Sequence, residues 1–384
     1  MPPNASYKAW EMFALASLCT VIAQSNENLV PCAFKPLPLG SVKPNGWLKD
    51  QLTLSANGLA GHQHDFYDFF TRWTWLGGTS DYSSFREGFP YWFNGLVPLA
   101  YTLNNEHLLE QVDWYNPKVY IKEELNTLPV SETEPLFAYE HGVNVGQGLR
   151  ALAVFRRVTH NDSLVQMSKD AVDWTFKYHG AASGAILADE RLAGLAPYYG
   201  SETCTLVETM YSLSYLYQAL GDTSYAERCE KTAFNALPVQ LTPDWWARQY
   251  VPQPNQPYAK HLDETPFWNV NQWGQSYGLE VDYPGCTVNH PQGYPKFTAA
   301  IDTKIDCETE YPFSDILTYT ITTKSAFDFL VRVPSWADTS ETSVSTGSSP
   351  TAVKTDSQTG LRKISIPSGT TKVTYRLSTP SIIQ

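Results

Sequence analysis

From about Pro36 to Pro295, apolar side chains recur mostly at intervals of three and four, the spacing that gives an α-helix one apolar face. Leu164, Met167, Ala171, Trp174 and Tyr178 form one such stripe, bounded by Asn161-Asp162 and Gly180, and predict an amphipathic helix. Leu206, Met210, Leu213, Tyr217 and Leu220 form a second, stopped by Gly221-Asp222. A third begins at once, with Thr223 or Ser224 as cap, Ala226, Cys229, Ala233 and Leu237 inward, and Pro238 as its end. Two helices joined by so short a turn make an antiparallel hairpin. The stretches Leu96 to Leu109 and Val143 to Val158 read alike, and a succession of hairpins predicts a helical bundle or an α/α toroid. Between the helices run long loops rich in Gly, Pro and aromatics, Gly77 to Asn94 and Pro238 to Gln256, where sites tend to be built.

After about Ala299 the period shortens to two. Ile316 to Val333 and Lys363 to Leu377 alternate, with Ser, Thr and Gly turns between them, so an antiparallel β-sandwich is expected. The Ser/Thr run from Thr339 to Thr351 reads as a loop or a glycan-bearing surface. The fold class is therefore mainly α with a β C-terminal part: a helical domain over 24–298 and a β-sandwich over 299–384. Residues 1–23 read as a signal peptide. Lys8 precedes an apolar run from Ala9 to Ala23, interrupted by Glu11, that is too short for a membrane span. The expected location is secreted and extracellular, free of the membrane once the signal is removed. Asn161-Asp162-Ser163 is an acceptable N-glycosylation acceptor on such a route.

Composition narrows the partners. The formal net charge of −12 argues against nucleic acid or anionic membrane, both of which need concentrated Lys and Arg. Twelve Trp, 23 Tyr and 17 Phe exceed what a core requires, and flat rings suit the CH-rich faces of sugars. Of six cysteines, Cys19 lies in the signal. Cys32, Cys204, Cys229, Cys286 and Cys307 remain, an odd number that leaves at least one thiol free, metal-bound or paired between chains.

Three local patterns could carry chemistry. Asp189-Glu190, in the turn GAILADERLAG, offers a carboxylate for general acid work, or a solvated acid paired to Arg191. Glu202 and Cys204 stand where the Leu206 to Leu220 helix begins and could share one metal. A helix start also draws a thiol toward thiolate, while the plain alternatives are a favourable charge and a buried or disulfide-bonded sulfur. Cys286 sits in the turn-rich segment YPGCTVNHPQGYPK, whose Pro, Gly and amides position it by backbone geometry. There is no CxxC pair, so spacing alone defines no zinc site. His141 at a helix start and His62-Gln63-His64 are further polar sets.

Taken together, GSETC at 200–204, ADERLAG at 188–194, HGVNV at 141–145 and CTVNHPQGYPKF at 286–297 resemble the β-L-arabinofuranosidase-like group around glycoside hydrolase family 127. The segments PLPLGSVKPNGWLKDQL at 36–52 and VRVPSWA at 331–337 agree with it. The resemblance implies an (α/α)6 toroid with β-sandwich material and retaining hydrolysis of a furanoside in an oligosaccharide or polysaccharide. It implies zinc held by Glu202, Cys204 and Cys286, with Glu190 as acid/base and Cys286 as nucleophile or ligand. It also places His141 in the sugar pocket, with His290 and Gln292 as further substrate-binding candidates. This chain departs from the pattern where the family has adjacent cysteines and it has Gly285-Cys286, which leaves Gly at the nucleophile position. The chain is also shorter than family members, and the joints near Val119 to Thr127 and Thr298 to Ile305 read abruptly. Two alternatives follow: a non-catalytic carbohydrate-binding relative, or a lyase using His141 or His290 as base. The sequence sets no oligomeric state.

Overall fold

In a computed structural model of the chain, the residues described are 29–34, 39–40, 43–67, 88–115, 141–256, 259–265, 267, 270–279, 284–299 and most of 306–378. The predicted signal segment, the part of the Gly77 to Asn94 loop up to residue 87 and the Val119 to Thr127 joint lie outside them; the rest of that loop, from Gly88, is helical instead. Among the described residues no helix is long and apolar enough to cross a membrane.

Among the described residues, helices are the regular elements up to residue 299 and strands follow from 306. The helices are α1 Trp47–Asn57, α2 Leu59–Phe66, α3 Gly88–Leu103, α4 Glu106–Tyr115, α5 Gly142–Gly148, α6 Ala151–Thr159, α7 Ser163–His179, α8 Thr203–Leu220, α9 Thr223–Lys231, α10 Pro284–Asn289 and α11 Gly293–Ala299. One apolar core joins all of them but α5, whose Val143 lies in a smaller cluster with Cys204, Tyr250 and Cys286. Trp92, Leu96 and Leu99 enter it from α3, Leu206, Leu213 and Leu216 from α8, and Val288 and Tyr294 from the segment that holds α10 and α11. Each such fully buried Leu stabilises the fold by roughly 2 kcal/mol.

α8 is the spine, since it packs against α5, α9, α10 and α11. Its contact with α5 depends on two glycines. A Cβ on Gly142 would stand 2.7 Å from Thr205 Oγ1, and one on Gly146 would stand 2.7 Å from Thr209 Oγ1. Only residues without a Cβ allow that approach, and it carries His141 to the foot of α8. Gly221, at φ 77°, ends α8 in the left-handed conformation that glycine favours.

Several helices depart from their sequence reading. The cap of α9 is Asp222, whose side chain accepts from Ser224 N, because a carboxylate outcompetes a hydroxyl for that amide. α9 runs on through a π turn, Thr232–Ala236, so Pro238 follows a widened turn. α7 forms where predicted, but Met167, Trp174 and Tyr178 are about half exposed, and its buried positions are Ser168 and Val172.

The C-terminal part has a five-stranded sheet ordered β1-β2-β7-β4-β5 and a two-stranded sheet, β3-β6. The strands are β1 Asp306–Thr309, β2 Ile316–Thr323, β3 Phe327–Arg332, β4 Ser343–Ser345, β5 Thr351–Ala352, β6 Leu361–Ile366 and β7 Gly369–Arg376. All pairings are antiparallel; β2 meets β7 from Ile316↔Arg376 to Thr323↔Gly369. Ile321, Phe329, Val344, Ile364, Val373 and Tyr375 bring both sheets onto one core. The Ser/Thr run expected as a loop contains β4 and the start of β5, because Val344 alternates inward between two serines.

Helical and β parts meet where α9 faces β3. The Arg332 guanidinium ion-pairs with Glu230 and lies 3.7 Å from Glu227, while Ser335 donates to Glu227 through its amide at 2.8 Å and its hydroxyl at 2.7 Å.

Candidate active site

The site is assembled at the N-terminal end of α8. Ser201 pairs with Ala188 across a parallel bridge, and Glu202 N donates to Ala188 O at 2.7 Å. On its other side this stretch meets the segment 250–252, through Ser201 N to Pro252 O and Thr203 N to Tyr250 O. Three strands of loop are thus tied side by side at the foot of one helix. Glu190 lies at φ 82°, a left-handed conformation that a Glu side chain seldom adopts and that turns it inward. Its carboxylate is gripped from two sides: Tyr250 OH donates to Oε1, and His141 Nε2 lies 3.0 Å from Oε2.

Glu202 is the residue before the first turn of α8 and Cys204 lies in that turn. Cys286 comes from α10. Its Sγ is 2.8 Å from Cys204 Sγ, well beyond the disulfide bond length of about 2.05 Å, and 3.6 Å from Glu202 Oε1. Cys32, Cys204, Cys229 and Cys286 are all free thiols, so the disulfide alternative for Cys204 is set aside. His141 Nε2 stands 3.8 Å from Glu202 Oε2 and links the two halves. Exposure falls inward, from 20% for the His141 side chain through 11% for Glu190 to 4% for Glu202. A ligand therefore meets His141 and Glu190 first.

Burial controls the charge here. It pushes the Glu202 carboxyl well above the usual carboxylate range, and the neighbouring Glu190 and Cys286 push it further. It raises the Cys204 thiol as well, with Cys286 adding to the effect. The helix start does not draw this thiol toward thiolate as its sequence position suggested, because desolvation outweighs the dipole. His141 loses stability as a cation through burial, yet its hydrogen bond to Glu190 and the charge of Glu202 lift it above its ordinary value. The acidic turn is no solvated loop: Asp189 and Glu190 are both buried.

Glu190, His141, Glu202, Cys204 and Cys286 thus come together from separate stretches of chain. His290 and Gln292 are engaged by other groups than Glu190 and Glu202. Both have no accessible surface; His290 Nδ1 meets Cys286 O at 3.0 Å, Gln292 donates to Asn289, and burial holds the His290 imidazole down to about 3. Two groups at the site carried no motif. Tyr250 holds Glu190, and the wholly buried Arg248 lies 5.4 Å from the Tyr250 ring centroid and donates to Leu279 O. The aromatic loop Pro238 to Gln256 contains both and was the one signal pointing to them.

Cys204, Cys286 and Glu202 present ligand atoms within 4.8 Å of one another, as do His141, Glu190 and Glu202. The first set, two sulfurs and a carboxylate, has the donor character of a zinc site.

No curated protein matches the sequence. Solved structures do share the fold. One described as a glycoside hydrolase superposes with a TM-score of 0.62 at 11% identity, over 92% of this chain and 80% of its own. A GH127 β-arabinofuranosidase gives 0.59 at 14% identity, over 92% and 81%. A GH127 β-L-arabinofuranosidase from Geobacillus stearothermophilus T6 gives 0.53 at 16% identity, over 74% of this chain and 53% of that one. The resemblance carried by the sequence motifs is borne out at the level of the family model: residues 114–277 match the one described as β-L-arabinofuranosidase, GH127 catalytic domain, which indicates a glycosidase.

Proposed function

We propose that the chain is a secreted glycoside hydrolase that releases non-reducing β-L-arabinofuranosyl groups from oligosaccharide or polysaccharide glycans with retention of configuration. The observation that carries this reading is the convergence of Glu190, gripped by Tyr250 and His141, with the buried set Glu202, Cys204 and Cys286.

The donor set fits zinc. Two thiols and a carboxylate lie together in a buried place, Glu202 Oε2 has no hydrogen-bond partner, and burial disfavours the ionised Cys204 and Glu202 unless a cation balances them. Glu202, Cys204 and Cys286 would hold the ion, which when bound supplies the positive charge that keeps sulfur ionised. Glu190 protonates the departing glycosidic oxygen while the Cys286 sulfur attacks the anomeric carbon, so a C–S bond forms as the C–O bond breaks. Glu190, now a carboxylate, then takes a proton from water, whose oxygen displaces sulfur and restores the starting configuration. Tyr250 and His141 fix both carboxylate oxygens and so aim the proton. Gly285, immediately before Cys286, brings no side chain to compete for the sugar.

The shared helical core and the shared core of the two sheets support a toroid-like (α/α)6 domain over 24–298 and a β-sandwich over 299–384. The apolar N-terminal run supports a cleaved signal over 1–23 and an extracellular place of work. The test is incubation of the purified chain with α- and β-L-arabinofuranosides, followed by proton NMR. Free β-L-arabinofuranose as the first product, from the β series alone, is the expected result. Binding without turnover would replace the proposal with a carbohydrate-binding role, and an ultraviolet-absorbing unsaturated product with a lyase.

A further inference from the structure

The loop that joins Glu190 to Glu202 carries two aromatic rings with no place in the chemistry above. Tyr198 is 56% exposed, and its ring centroid lies 4.6 Å from that of Tyr199. The position of the pair is fixed. Gln253 donates to Tyr198 O, and Gln275 Nε2 donates to Gln253 Oε1 at 2.5 Å, which ties the loop to the segment that bears Tyr250. The Tyr199 phenol is held above its ordinary value by its hydrogen bond with Tyr198, and the Asp189 carboxylate beside Glu190 adds to the effect.

A second exposed ring borders the same segment on its far side. Tyr250 N and Val251 N both donate to Gly274 O, at 3.0 and 2.9 Å, and Trp273 directly precedes Gly274. Trp273 is 52% exposed, and its ring centroid lies 4.2 Å from that of His261. The segment 250–252, which delivers Tyr250 to Glu190, is therefore flanked by residues 201–203 with Tyr198 at one edge and by Gly274 with Trp273 at the other. Leaving such rings half in water gains the fold nothing from their apolar faces. Each ring carries a polar tip, and a side-chain amide bonds beside each: Gln253 to the Tyr198 carbonyl, and Gln272 to the His261 ring that packs on Trp273. That combination matches a partner with CH faces and hydroxyl edges.

We propose that Tyr198 and Trp273 form a stacking platform for the sugar that remains after cleavage, so that the chain acts on furanosyl groups carried by a longer glycan in preference to a lone glycoside. The inference rests on the reading of Glu190 as the proton donor, because the leaving sugar lies on the side of the group that protonates it, and the Tyr250 segment joins both rings to that group.

The test compares Tyr198→Ala and Trp273→Ala with the wild type on two substrates: methyl β-L-arabinofuranoside and a β-L-arabinofuranosyl-capped trisaccharide. The quantity read is the ratio of kcat/KM for the trisaccharide to that for the methyl glycoside. This ratio is expected to fall about tenfold in each variant, the scale of losing a well-seated aromatic contact. An unchanged ratio in both overturns the platform. Far-UV circular dichroism confirms that each variant is folded, and Tyr198→Phe, which keeps the face, is expected to restore most of the ratio. If the wild type hydrolyses neither substrate, the reading of Glu190 fails. The platform is then judged by calorimetric titration with the same trisaccharide: a Kd weakened about tenfold in the variants sustains it, and equal affinity, or no binding by the wild type, ends it.

Discussion

At the foot of α8, Glu190, Glu202, Cys204 and Cys286 crowd together with His141 as their ion-pairing neighbour, whereas at the junction of α9 and β3 the carboxylates of Glu227 and Glu230 are met by Arg332, Ser335 and Tyr311. Both clusters mix charge with burial. In the second, acid and base are matched and the Arg332 cation is retained: burial opposes it, but Glu230 and Glu227 hold its pKa above the ordinary value. In the first, buried groups that would be anionic push one another's pKa values upward, so burial and neighbours both oppose the charged forms. A fold selected only for stability would not gather such groups. Their concentration at one end of one helix marks where stability has given way to chemistry.

Substitutions should separate the two clusters. The largest effect belongs to Glu190→Gln, which keeps the shape and removes the proton: kcat should fall by about 10²- to 10⁴-fold, measured on a β-L-arabinofuranoside with little change in thermal midpoint. Next come Cys204→Ser and Cys286→Ser. Each should strip bound zinc from a protein purified with it, read by plasma mass spectrometry as a fall from about one zinc per chain toward none. A metal content indifferent to both would detach the cysteines from any metal role.

Arg332→Ala attacks the matched cluster and should destabilise the chain by about 2–3 kcal/mol, read from the urea midpoint. That is the low end for a broken buried pair, since Glu227 and Glu230 remain about a quarter exposed. The smallest effect is expected at the α9 cap. Asp222→Ala should cost about 1 kcal/mol. Burial raises the Asp222 carboxyl, but its hydrogen bonds from Ser224 and the contact with Lys169 outweigh that and set it below its usual value. Its contribution is therefore fully present above the unfolded pKa of about 3.9 and is lost as the pH falls through the lower folded value. Asp222→Asn, which can still cap, should keep most of the stability and lose that acid dependence, as pH-resolved melts would show.

Much of this arrangement was legible in the chain itself. α8 announced itself through its apolar spacing and Gly221, and the Glu190, Glu202, Cys204 and Cys286 segments carried recognisable motifs. What escaped is what neighbours decide. Met167, Trp174 and Tyr178 have helical spacing, but periodicity does not say which stripe meets the core, and Ser168 and Val172 took that place. Tyr250 lies in irregular backbone, where period carries no information and only the hydrogen bonds to Thr203 and Gly274 fix its direction. His290 and Gln292 have the chemistry of sugar-binding residues and are instead sealed inside, since the turn that carries them packs against α3 at Gly95.

The left-handed backbone at Glu190 bears on how this molecule would evolve in the laboratory. Glycine would occupy that conformation at lower energy, by about 1 kcal/mol or more. That relief is opposed by the Tyr250 hydroxyl and by His141, both of which would lose the Glu190 carboxylate, at about 1–3 kcal/mol for a buried hydroxyl, so heat-tolerance screening of a library has no net gain to find at position 190.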